Sequence, residues 1–110
     1  MKVEQKGHTT IIKDTSDDLM VFLMKLTHEY KTFEGKNIIV DMTHHKALSV
    51  KDINSFLNLS KTHTKAKKSF VIVAQDIDFN KCSDKLVVVP SRLEAHDIIE
   101  MDELERDLGF

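Results

Sequence analysis

Two stretches of this chain, Asn37-Ile38-Ile39-Val40-Asp41-Met42 and Ser69-Phe70-Val71-Ile72-Val73-Ala74, are apolar at nearly every position and rich in β-branched residues. A strand with one wet face alternates apolar and polar side chains. A run that does not alternate is buried on both faces, as central parallel strands are. Leu86 to Val89 is a further run of this kind, ended by Pro90. Met1 to Lys6 and Thr9 to Lys13 read as two shorter strands, with Gly7-His8 as a tight turn between them. Helical segments separate the later strands. The order is ββαβα(α)βα, which predicts an α/β fold with a mainly parallel sheet, made mixed by the first hairpin.

The helices are legible from spacing and end signals. Leu19, Phe22, Leu23, Leu26, Tyr30 and Phe33 recur at intervals of three and four and define one buried face. Thr15 with Asp18 resembles a capping box at the start of that helix, and Gly35 stops it. Ser49 with Asp52 marks the start of the second helix. Its inner face is Ile53, Phe56, Leu57 and Ser60, and Lys61, Lys65, Lys67 and Lys68 crowd its end, where the dipole favours cations. Residues 76–84 carry a weak signal, with Phe79 expected to pack inward on a short helical turn. Ser91 with Glu94 opens the last helix, whose apolar side is Leu93, Ile98, Met101, Leu104 or Glu105, and Leu108. The expected core residues are Val40, Phe56, Val71, Ile72 and Val88.

The chain has 110 residues, and its three glycines and one proline leave no linker or low-complexity stretch, so residues 1–110 read as one domain. No run of 18 apolar residues occurs, and the opening MKVEQKGH lacks the apolar segment of a signal peptide. A cytoplasmic location without membrane contact is therefore expected. The formal net charge of −2 differs from that of a strongly basic nucleic-acid binder. The basic run from Lys61 to Lys68 has no interleaved aromatic for base stacking and reads as a solvated helix end, so nucleic acid is not an expected partner. The last helix is opposite in sign: Glu94, Asp97, Glu100, Asp102, Glu103, Glu105 and Asp107 stand against Arg106.

Chemistry-bearing patterns are sparse. Gly7, Gly35 and Gly109 cannot form a phosphate loop or a dinucleotide fingerprint, and no Gly-x-Ser-x-Gly is present. Cys82 is the single cysteine, which excludes an internal disulfide and a cysteine zinc site. Despite the neighbouring Lys81 and Lys85, it reads as a half-buried structural thiol. Asp76 and Asp78 read as turn and cap residues, and no carboxylates pair as an acid–base couple. His44 and His45 follow the strand ending Asp41-Met42, where open α/β sheets hold ligands. Adjacent loop residues point to different sides, so the two do not readily share one metal. No metal and no cofactor are expected.

A resemblance runs through the central stretch. Ile38-Ile39-Val40-Asp41-Met42-Thr43, the loop to Leu48, the capped helix from Ser49, the strand Phe70-Val71-Ile72-Val73, and Val87-Val88-Val89 followed by Arg92-Leu93-Glu94-Ala95 together resemble a STAS domain, the fold of bacterial anti-sigma-factor antagonists. The resemblance spans nearly the whole chain in element order. It implies a sheet of four or five strands with helices mostly on one face, and a non-catalytic module of bacterial regulation that binds a protein partner. It places the partner surface at Thr43, His44, His45, Lys46, Ser49, Lys51 and Asp52. The antagonists carry a phosphorylatable switch in an Asp-Ser-Ser/Thr-Gly pattern. Aligning Asp41 with the family aspartate puts Ser49, Val50, Lys51 and Asp52 on those positions, so the pattern is broken; a one-residue slip makes Ser49 the switch, but no glycine follows. The alternative to a protein-binding role is a small-ligand or enzymatic site around Asp41, His44 and His45. The ending from Asp97 to Gly109 also resembles short proteins called ribonuclease Z. That zinc nuclease needs a His-x-His-x-Asp-His cluster, which is absent here, and a longer chain than this one.

Overall fold

The computed structural model describes residues 1–46 and 48–109; Ala47, inside the loop expected from Thr43 to Leu48, and Phe110 lie outside them. The elements are β1 (Lys2–Lys6), β2 (Thr9–Lys13), α1 (Leu19–Phe33), β3 (Asn37–Asp41), α2 (Val50–Asn54), α3 (Leu57–Lys65), β4 (Phe70–Val73), a 3-10 turn (Phe79–Lys81), β5 (Val87–Val89) and α4 (Arg92–Asp107). The sheet has five strands in the order β1-β2-β3-β4-β5. The strand order ββαβα(α)βα thus gains a strand, because both Phe70–Val73 and Val87–Val89 pair. β1 and β2 form the antiparallel hairpin, and Gly7 takes the left-handed φ of 60° that its two-residue loop needs. From β2 to β5 every pairing is parallel.

Parallel strands laid down in sequence order place their crossovers on one face when all share the usual right hand. The core follows that rule. Ile12, Ile38, Val40 and Ile72 pack under Phe22, Leu26 and Phe33 of α1 and Ile53, Phe56 and Leu59 of the α2–α3 region. Ile77 and Cys82, from the β4–β5 connection, lean on the same cluster. The alternate residues Ile11, Ile39, Val71 and Val73 face the other way, onto Ala95 and Ile99 of α4. Helices therefore lie mostly on one face, with α4 alone on the opposite one. Burial at these positions stabilises by about 1.5–3 kcal/mol per large side chain.

Several local expectations are corrected. α1 is capped by Asp18, whose carboxylate accepts from the amides of Met20 and Val21, and not by Thr15, whose hydroxyl accepts from the chain's amino terminus at 3.3 Å. The second helix is broken at Ser55-Phe56 into α2 and α3. Ser55 donates its hydroxyl to the Asp52 carbonyl, a local bond that competes with the helical ladder. Phe79 is exposed rather than packed inward, and Val88 is only half-buried, with Val89 the buried residue of β5. In α4 the expected apolar side points outward: Leu93, Met101, Leu104 and Leu108 are 73%, 62%, 60% and 63% exposed.

Polar anchors set that rotation. At the start of α4, Arg92 Nε donates to Asp41 Oδ2 at 2.7 Å. Near its end, Asp102 accepts the Ser69 hydroxyl at 2.7 Å, Glu103 accepts from the Asn37 side-chain amide at 2.6 Å, and Arg106 donates to Ser69 and Asn37, each at 3.3 Å. Asn37 Oδ1 also accepts the Ser69 backbone amide at 2.9 Å. Asn37 and Ser69 are buried, so turning α4 to bury its leucines strands their polar groups without partners. A second buried polar group lies under α1 and α3. The His63 Nε2–H donates to the Lys36 carbonyl and Nδ1 is hydrogen-bonded to the Tyr30 hydroxyl, both at 2.7 Å; the hydroxyl donates when the imidazole is neutral. Burial, joined by the Lys68 charge, holds His63 below the ordinary histidine pKa despite the bond to Lys36. α3 ends in a Schellman turn: Lys67 sits at φ 63°, and the amides of Lys67 and Lys68 donate to the carbonyls of Thr64 and His63 at 2.9 and 3.2 Å.

Candidate functional site

The register brings Lys13, Asp41, Val73 and Val89 to one level, so the carboxyl ends of β2 to β5 open together. Two buried carboxylates lie there. Asp41 closes β3; Asp14 immediately follows β2, and its amide donates to the Asp41 carbonyl at 3.2 Å. Each carboxylate is satisfied from within the fold. Asp41 Oδ1 accepts the amide and hydroxyl of Thr43 at 2.9 and 2.6 Å, and its Oδ2 accepts from Arg92. Arg92 reaches on to Glu4 of β1 at 3.6 Å. Burial alone raises a carboxyl pKa, but the Thr43 bonds and the Arg92 guanidinium outweigh it and hold Asp41 below the ordinary range. Asp14 Oδ1 accepts the amide and hydroxyl of Ser16 at 2.8 and 2.7 Å, and its Oδ2 takes the Nε2–H of His45.

The loop above these acids is tied down from beneath. Thr43 is held by Asp41, and His45 is held by Asp14 and by its amide, which donates to the Met42 carbonyl at 3.0 Å. His44 turns instead to Asp17, 3.5 Å from its carboxylate, with its ring nearly perpendicular to that of His45 at 82°. The neighbours thus serve different aspartates. Ser49 caps α2 in a reciprocal box: its hydroxyl accepts the Asp52 amide at 3.1 Å, and the Asp52 carboxylate accepts the Ser49 amide at 3.0 Å. His44, Lys46, Ser49 and Lys51 are exposed, while Thr43, His45 and Asp52 are half-buried. The seven residues expected at the partner surface therefore adjoin one another along this loop and the first turn of α2. A cleft of about 390 Å³ opens beside them, lined by Asp17, Leu19, His44, His45, Lys46 and Leu48.

Asp14 and Arg92 are the members that the sequence reading missed. Asp14 carried a signal, since it follows its strand much as Asp41 ends the next one. Arg92 carried none, because its pairing with Asp41 spans 51 residues. Chemically, Asp14 and His45 form a carboxylate–imidazole pair that leaves Nδ1 as the remaining ring nitrogen. Among the described residues no serine, threonine or cysteine side chain bonds to His45. Among them, too, no group of three or more His, Cys, Asp or Glu is placed to hold a metal ion. Cys82 is half-buried away from this site, and burial, with Asp78 nearby, raises its thiol pKa. No helix of the described residues is long and apolar enough to cross a membrane. Neither a scan against protein-family models nor a search of curated proteins finds a match to this chain.

Proposed function

We propose that this chain is a STAS-like, non-catalytic module of bacterial cytoplasmic regulation that binds a protein partner through the β3–α2 loop and the start of α2. The observation that carries this reading is the way the loop is built. Buried Asp14 and Asp41 spend their hydrogen-bonding capacity holding His45 and Thr43 in place, and a capping box holds Ser49 to Asp52. A loop fixed before binding loses little conformational freedom on binding, which favours recognition by its exposed His44, Lys46 and Lys51. The hydroxyl of Ser49 serves as a cap in this reading rather than as a phosphorylation switch. Affinity purification from the native cell compares the wild type with a Lys46→Glu/Lys51→Glu variant and with Lys65→Glu at the far end of α3. A partner lost only with the loop variant supports the reading; a partner lost equally with Lys65→Glu, or retained by both, refutes it.

The Asp14–His45 pair beside the cleft favours a second reading, a small-ligand or enzymatic site near Asp41, His44 and His45. A thermal-shift screen of nucleotides and divalent metals distinguishes the two. A ligand present well above its Kd raises stability by RT ln(1+[L]/Kd). Stabilisation that disappears in His45→Ala favours this second reading.

A further inference from the structure

The two helices on opposite faces of the sheet, α1 and α4, each turn an apolar stripe to solvent, and the stripes carry opposite charge. On α4, Leu93, Met101, Leu104 and Leu108 are more than half exposed, and the ionisable side chains exposed with them are all acidic: Glu94, Asp97, Glu100, Glu105 and Asp107. On α1, Met20, Val21 and Met24 are 59%, 54% and 68% exposed, and the ionisable side chains exposed on the helix are Lys25, His28 and Lys31. Among the described residues none of these charged groups makes an ion pair. The outward rotation of α4 is fixed rather than incidental. Arg92 at one end and Asp102, Glu103 and Arg106 at the other clamp it to Asp41, Ser69 and Asn37, so the larger apolar side chains face water while Ala95 and Ile99 face the sheet. Contiguous apolar stripes of this kind on a soluble domain mark contact surfaces.

From this we infer that the chain stacks head to tail on copies of itself, with the basic, methionine-bearing face of α1 in one copy seated on the acidic, leucine-bearing face of α4 in the next. Charge selects this pairing. Two α4 faces brought together oppose acid to acid, and two α1 faces oppose cation to cation. α1 on α4 sets cation against acid along helices of nearly equal length, 15 and 16 residues. Because the faces lie on opposite sides of the sheet, the contact is heterologous and the stack keeps one unused face at each of its two ends.

Sedimentation at rising concentration tests this directly, with Met24→Glu breaking the α1 face and Leu104→Lys breaking the α4 face. Both side chains are exposed, and circular dichroism confirms that the variants fold. The wild type should associate progressively, and less at high salt than at low salt. Each variant alone should be monomeric. Mixed, they should form a one-to-one dimer that grows no further, since one supplies an intact α4 face and the other an intact α1 face. A wild type that stays monomeric, either variant associating alone, a mixture that stays monomeric, or association insensitive to salt overturns the inference.

Discussion

The two ends of the sheet are built from different polar chemistry. At the carboxyl end, Asp14 and Asp41 are buried as charged or charge-bonded groups held by Arg92, His45 and the hydroxyls of Ser16 and Thr43. An exposed loop lies over them. At the amino end, Asn37, Ser69 and His63 form the buried layer with neutral groups, and the charged members Asp102, Glu103 and Arg106 stand at its margin. Ions buried at a strand end are expensive unless fully bonded, so their cost is tolerated where a loop must be held in one shape. At the amino end the buried members are neutral, and the charged Asp102, Glu103 and Arg106 that seat α4 on them stay half-exposed. Under the proposed reading, the carboxyl end is the site and the amino end the scaffold.

The largest expected effect lies at neither end and sets the scale. Phe56 is fully buried beside Phe22, at a ring-centroid distance of 6.3 Å, where α2 breaks into α3. Phe56→Ala should cost on the order of 3–5 kcal/mol in denaturant melts. A loss under about 1 kcal/mol would show that this helix pair is not seated on the sheet as described. At the scaffold end, Asn37→Ala removes the side chain that bonds Ser69, Glu103 and Arg106. The expected loss is about 1–3 kcal/mol in stability, with partner binding by the folded fraction intact. Partner binding abolished at unchanged stability would reverse the assignment of ends.

Acid should separate the ends on the pH axis. His63 titrates below its ordinary 6.5 in the fold, so between those values the unfolded chain binds more protons than the native one. Its contribution is complete above about pH 6.5 and is lost as pH falls toward the folded value. Asp41 titrates below its ordinary 3.8, so its contribution is complete above that value and lost only as pH falls further. Stability measured against pH should therefore decline first through the scaffold end. His63→Gln should reduce that first decline; His96, which burial, with Lys6 and Arg92 nearby, also holds low, contributes in the same direction. A decline unaltered in His63→Gln would remove the imidazole from this account. The smallest effect is at the loop, where Ser49→Ala should lose about 1 kcal/mol by uncapping α2 and Ser49→Asp should be nearly neutral. Ser49→Asp that abolishes partner capture while Ser49→Ala leaves stability unchanged would make the residue a switch.

The parts legible in the sequence are those set by neighbours in the chain. The unbroken apolar character of β3 and β4 gave their burial on both faces, and the Ser49–Asp52 spacing gave a capping box that forms as read. What the residues hid depends on distant pairings. Thr15, Ser16, Asp17 and Asp18 are all capable caps, and Thr15 meets the amino terminus while Ser16 bonds Asp14, which leaves Asp18 for α1. The leucines of α4 have helical spacing, yet contacts spanning 33 to 69 residues turn them outward. Periodicity states that a helix has an apolar side; it does not state that the side is buried. The Asp14–His45 pair, 31 residues apart, was hidden for the same reason.

The outer strands bear on how the molecule avoids unwanted company. All five residues of β1 are exposed, and Lys2, Glu4 and Lys6 put a charge at every other position of that margin. β5 offers only three residues before Pro90. Unpaired strand margins are templates for foreign strands and for fibrillar aggregation, and charge, brevity and proline are the features that blunt them. A peptide seeking to extend this sheet meets a repelling border on one flank and too short a ladder on the other.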